Sequence, residues 1–236
     1  MSGVGTVMNK KRLWLVAAAY WLVMSALVCT IYPSTISDTM ARYAPMADAF
    51  ARGEWRYAFH PRFGVIFQIM AGSLARLTGL RGDMACQSTA LFFLALSIIP
   101  MGLLAKRLFG ERIAWLVVVA ILVSDEFTRL SYHGLRDTGK CLAFALIGWS
   151  MVEECDGWLG VGLFVLSSLV SYGFALGAAL FGFWFLLSVS KHRYMQLIFP
   201  FGGWLFGTLV VTVMVYAYTG HWVPAPHFIR YVGEWL

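Results

Sequence analysis

The chain has 236 residues, 60% of them hydrophobic and 13% charged, and its mean hydropathy is +0.72. A soluble domain of this length cannot hide so much apolar surface in one core, so lipid must cover the remainder and a water-soluble enzyme is excluded. The net charge of +6 is spread between apolar runs with no continuous basic stripe, which argues against nucleic acid and for anionic headgroups or phosphorylated substrates.

The N-terminus places Asn9-Lys10-Lys11-Arg12 ahead of the apolar run Leu13 to Tyr32, with no small-x-small site to close it. This reads as an uncleaved signal anchor. Further apolar spans follow at about 85–105, 108–124, 138–152, 158–171, 173–189 and 197–218. With 13–32 they make seven, each expected to be a helix because lipid tolerates no unpaired backbone. Leu159 to Val189 is 31 residues, divided at Ser171-Tyr172-Gly173. Two crossings there put Lys10, Lys11, Arg12, Lys106, Arg107, Arg112, Lys191 and Arg193 on one side, which the positive-inside rule makes cytoplasmic. Ten basic residues then fall outside against eight inside, yet four of the five lysines are inside. The expected fold is therefore all-α: a single polytopic transmembrane domain over 1–236, N-terminus cytoplasmic. Cys29, Cys86, Cys141 and Cys155 show neither metal-binding nor redox spacing and read as small buried hydrophobes.

Residues 33–84 form the long first external loop. Ser37 caps a helix running to about Arg52, with Asp38 in its first turn and Met40, Tyr43, Ala44, Ala47 and Phe50 on one side, an amphipathic helix at the interface. After Gly53-Glu54-Trp55 and His60-Pro61, Phe63 to Leu77 is apolar but interrupted by Gln68, Ser73 and Arg76, which predicts a second helix either at the membrane surface or re-entrant into it. Trp55, Tyr57, Trp158, Tyr172, Tyr194, Trp222 and Trp235 cluster near span boundaries as an aromatic belt does.

The chain holds no phosphate-cradling glycine loop, no His-Glu-x-x-His and no serine nucleophile elbow. It also lacks room for the separate domain that a nucleotide-sugar donor needs. Asp38 and Arg42 lie four residues apart on one helix face. One reading gives them a helix-dipole contact and an ion pair, about 0.3–1 kcal/mol. The other gives a proton acceptor beside a cation that stabilises a leaving phosphate. Among the other loop arginines, Arg52 and Arg56 read as headgroup contacts, whereas Arg62, with Arg136 further on, sits next to a span end where a guanidinium can grip phosphate with two donors. Asp125, Glu126 and Asp137 bracket the connection Arg129 to Arg136. Asp125 is four residues before Arg129, and Asp137 is three before Lys140, both spacings that suit ion pairs.

Ser37-Asp38-x4-Tyr43-x3-Ala47, Gly53-Glu54-Trp55, Phe59-His60-Pro61-Arg62 and Leu108-Phe109-Gly110-Glu111-Arg112 together resemble the start of the GT-C membrane glycosyltransferases, in particular those of the protein O-mannosyltransferase and aminoarabinose-transferase type. That resemblance implies a sugar donor carried on a polyprenyl phosphate and an acceptor glycan, lipid or protein on the outer face of a bacterial inner membrane. It implies Asp38 as the catalytic acidic residue of the first external loop, while the chemistry of a leaving phosphate points to Arg42, Arg62 and Arg136 as its contacts. It also raises a second acidic site, Asp125 and Asp137 with His60, where oxygen ligands would suit a divalent cation such as Mg2+ or Mn2+. The chain departs from the family in carrying Asp38-Thr39 where an acidic pair is common, and a lone Pro61 where paired prolines are common. The rival reading is a non-catalytic membrane subunit or lipid-handling protein. A transporter ranks third because the spans hold few central charges and no inverted repeat.

Overall fold

The structure, a computed structural model, describes residues 8–31, 39–60, 65–169, 173–190 and 194–220, and among these it is helical with no strand. The helices are α1 (Lys10–Ile31), α2 (Ala44–Arg52), α3 (Trp55–Ala58), α4 (Ile66–Thr78), α5 (Gly82–Phe109), α6 (Glu111–Val123), α7 (Asp125–Tyr132), α8 (Asp137–Glu153), α9 (Asp156–Leu169), α10 (Gly173–Ser190) and α11 (Ile198–Thr219). A π-helical turn, Thr39–Tyr43, leads into α2, and a 3-10 turn, Tyr194–Leu197, leads into α11.

The structure bears on part of the seven-span division. Among the described residues three helices are long and apolar enough to cross a membrane: Lys10–Val28, Gly82–Phe109 and Ile198–Tyr218. The apolar helices Asp156–Leu169 and Ala175–Ser188 are shorter. Where the sequence suggests spans at 108–124 and 138–152, α6 has 13 residues and α8 has 17. At 1.5 Å per residue a 13-residue helix covers only about 20 Å of a hydrocarbon layer about 30 Å thick. Hydropathy counts apolar residues but does not say where the helix breaks. Here the breaks fall at Gly110, with φ 85°, and at Ser124, in extended backbone.

α5 is the central element. Ala85, Gln87, Leu91, Leu94 and Ile98 are all buried, so its apolar residues surround the axis instead of forming a stripe, as expected of a helix covered on every side. One core packs α4, α5, α8 and α9 around Phe67, Ala90, Phe93, Leu146 and Leu163. A second packs α1, α5 and α6 through Leu13, Ala17, Ile98, Ala114 and Val118. A third joins α2, α3 and α4 to α11 through Ala49, Phe59, Val65 and Val215.

Polar contacts identify the two ends of this bundle. At one end Lys106 Nζ donates to the Met8 carbonyl at 2.6 Å, the Met8 N–H donates to Glu111 Oε1, Arg107 pairs with Glu153 at 3.6 Å, and Lys10 lies 5.9 Å from the Trp149 ring. The start of α1, the end of α5, the start of α6 and the end of α8 therefore meet. At the opposite end Thr39 Oγ1 donates to the His133 carbonyl and Gln87 Nε2 donates to the Tyr132 carbonyl at 2.6 Å. There too the Val65 N–H donates to the Ser168 carbonyl at 2.9 Å.

The loop helices pack against the rest of the bundle. α4 packs into the core, with Phe67, Gln68, Ala71, Gly72 and Ala75 buried. Its small residues allow the approach: a Cβ at Gly72 would lie 2.5 Å from Phe50. Of the face expected on the first loop helix, Tyr43, Ala44 and Ala47 are buried, but Met40 is exposed and Met46 and Ala49 take part instead. The π turn winds more residues into each turn than an α-helix, so the 3.6-residue register slips there.

The bundle also holds a buried polar joint. The Trp184 indole N–H on α10 donates to Asp156 Oδ1 at the start of α9 at 2.7 Å, and both residues are buried. Trp184→Phe keeps most of the ring packing and removes this donor to a buried carboxylate. It is expected to cost about 2 kcal/mol, read in detergent as a Tm lowered by about 4–8 °C.

Candidate functional site

The first loop folds into a hairpin of short helices. Pro45 opens α2, where a missing N–H costs nothing. Gly53 closes it at φ 79°, and its N–H and that of Glu54 return to the carbonyls of Phe50 and Ala49. This reversal sends α3 back beside α2. Phe50 meets Trp55 edge-on at 4.8 Å, and Phe59 stacks on Tyr218 of α11 at 5.3 Å. The hairpin is thus braced against the end of the last described helix.

The reversal encloses a groove of about 450 Å3, lined by Ala41, Arg42, Pro45, Met46, Ala49, Arg52, Glu54, Tyr57 and His60. Its floor is apolar, with Met46 and Ala49 buried, while Tyr57 is 75% exposed. Its rim is charged. Arg52 Nε and Nη2 donate to the two Glu54 oxygens at 2.8 and 3.0 Å, a two-point fork. That hydrogen bond holds the Glu54 carboxyl below its ordinary range and pushes the Arg52 guanidinium up, so both stay charged. Arg42 lines the same groove beside this pair.

Of the residues singled out by sequence, Arg42 and His60 share this groove. Arg136 lies elsewhere at the same end, its guanidinium 6.0 Å from the ring of Tyr43 and its Nη1 donating to the Leu169 carbonyl at 3.4 Å. Asp137 pairs with Lys140 at 2.5 Å, one turn along α8. Asp125 is exposed in the first turn of α7, and no ion pair joins it to Arg129. Among the described residues no three His, Cys, Asp or Glu side chains converge as a metal-ligand set. Asp38 and Arg62 lie outside the described residues. The chain neighbour of Asp38, Thr39, is fully buried and bonded to the His133 carbonyl. His133 itself has its pKa lowered, first by desolvation and then by Arg129.

Sequence reasoning overlooked Arg52, Glu54 and Tyr57 as groove residues, although Arg52-Gly53-Glu54 carried the signal: two opposite charges across a glycine turn. It also overlooked Asp48, whose Oδ1 accepts the Gly82 N–H at 2.7 Å and so caps α5. A Cβ at Gly82 would lie 2.2 Å from the Ala44 carbonyl, so α2 meets the start of α5 backbone to backbone. Comparison with known proteins leaves the groove to be read from its own chemistry, since no family model, no curated protein and no solved structure matches this chain.

Proposed function

We propose that the chain is a membrane glycosyltransferase of the GT-C kind, moving a sugar from a polyprenyl-phosphate donor to an acceptor hydroxyl on the outer face of a bacterial inner membrane. In this reading the N-terminus is cytoplasmic and the chain passes through the bilayer seven times, the shorter helices crossing beside the three long ones. The acceptor hydroxyl gives its proton to the Asp38 carboxylate as its oxygen attacks the anomeric carbon. The bond from that carbon to the phosphate oxygen breaks, and the electron pair leaves with the polyprenyl phosphate, whose negative charge rises by one. A cation near the leaving oxygen stabilises that rise.

The observation that carries the reading is the groove: an apolar floor with the guanidinium groups of Arg42 and Arg52 at its rim, built by the segment that follows the first apolar helix. A lipid-linked phosphate presents those two chemistries side by side. Arg42→Gln is expected to lower kcat/KM for a labelled polyprenyl-phosphate sugar about 10- to 100-fold in membranes holding the chain, with part recovered in Arg42→Lys. A value within about twofold of the unsubstituted chain would remove Arg42 from the site.

A further inference from the structure

The end of the bundle remote from the groove carries cations that its own carboxylates do not satisfy. There Glu111 accepts the Met8 N–H and lies 3.8 Å from Lys106, while Glu153 pairs with Arg107. Lys11 and Arg112 are exposed at the same end, and among the described residues no carboxylate pairs with either.

Each of these two cations heads an apolar stripe. On α6, Arg112 is followed at helical spacing by Leu116, Val119 and Val123, exposed by 65, 50 and 74%. On α1, Lys11 is followed by Leu15 and Leu22, exposed by 69 and 60%. The two helices lie side by side on α5. Leu13 and Val118 both reach 3.1 Å from the Cβ position of Gly102, and the Met8–Glu111 hydrogen bond ties their first turns together. A seam results with positive charge at one end and exposed aliphatic side chains running away from it.

We infer that this seam is a binding surface for an anionic glycerophospholipid, its phosphate held at Lys11 and Arg112 and its acyl chains lying along the two stripes. The charge selects the occupant. A lipid with net negative charge neutralises the two surplus cations, whereas the amine of a zwitterionic lipid brings a third cation to them. The apolar stripes demand acyl chains, so free phosphate does not complete the surface. This inference rests on the chain lying in a membrane and is independent of sugar transfer.

Trp14, 51% exposed and one turn from Lys11, reports on the surface. The full chain is placed in phosphatidylcholine vesicles containing equal mole fractions of either phosphatidylglycerol or phosphatidylcholine with brominated acyl chains. Trp14 emission is taken as the difference between the unsubstituted chain and Trp14→Phe. The brominated anionic lipid is expected to quench it at a mole fraction about fivefold or more lower than the zwitterionic one. Lys11→Gln with Arg112→Gln, both exposed and so harmless to folding, should bring the two lipids level. Equal quenching in the unsubstituted chain, a preference that survives both substitutions, or no quenching by either lipid would each overturn the inference.

Discussion

Gly203→Leu is expected to prevent α11 from docking on α9, lowering stability by more than about 3 kcal/mol and Tm by upwards of about 6 °C. The two helices touch backbone to backbone. A Cβ at Gly203 would lie 2.0 Å from the Gly160 carbonyl oxygen and 2.6 Å from its carbon. Gly160 in turn faces the Phe199 carbonyl at 2.5 Å, and Gly207 faces that of Phe164 at 2.8 Å. Backbone atoms cannot rotate away as a flexible side chain can, so the helices must separate to admit even one methyl group. Small residues spaced by four let helix backbones approach where lipid supplies no hydrophobic drive for association. Gly202 provides the control, because a Cβ there meets nothing within 4 Å. Thermal unfolding of both variants in one detergent should show Gly202→Leu near the unsubstituted chain. If Gly203→Leu melts with it, the packing described between α9 and α11 is wrong.

Asp38→Asn is expected to lower kcat for sugar transfer by about 10²–10⁴-fold while leaving KM for the lipid donor within about threefold. An amide matches a carboxylate in size and accepts hydrogen bonds, but it cannot take the proton of the acceptor hydroxyl. The donor phosphate is assigned to Arg42, so its binding should survive. Asp38→Glu keeps the base and displaces it, and an intermediate rate is the expected result. Initial rates at several donor concentrations separate the two parameters.

Much of the local architecture was legible in the residues. The helix stop at Gly53 follows from glycine's tolerance of positive φ, and it occurs. The Asp137–Lys140 pair follows from i,i+3 spacing on a helix, and it forms. What depends on distant partners was hidden. Nothing in Phe63 to Leu77 says that other elements will cover Phe67, Gln68, Ala71, Gly72 and Ala75, as they do. Residues 55–59 do not reveal that Tyr218 will brace them, and without that brace Arg52, Glu54 and Tyr57 have no groove to line. Asp125 and Arg129 have the spacing of a pair on an exposed turn, where solvent screens the attraction and the side chains gain little by meeting. Helix lengths were obscured for another reason: hydropathy averages across Gly110 and Ser124, whereas backbone geometry stops there.

The most direct test supplies inverted membrane vesicles, and separately right-side-out ones, with a polyprenyl-phosphate sugar labelled in the sugar, and follows the label. With the unsubstituted chain, label should leave the lipid and appear on acceptor at the outer face, and Asp38→Asn should abolish this. Equal transfer by the Asp38→Asn chain, or label that stays on the lipid whichever face is supplied, would contradict the proposed activity.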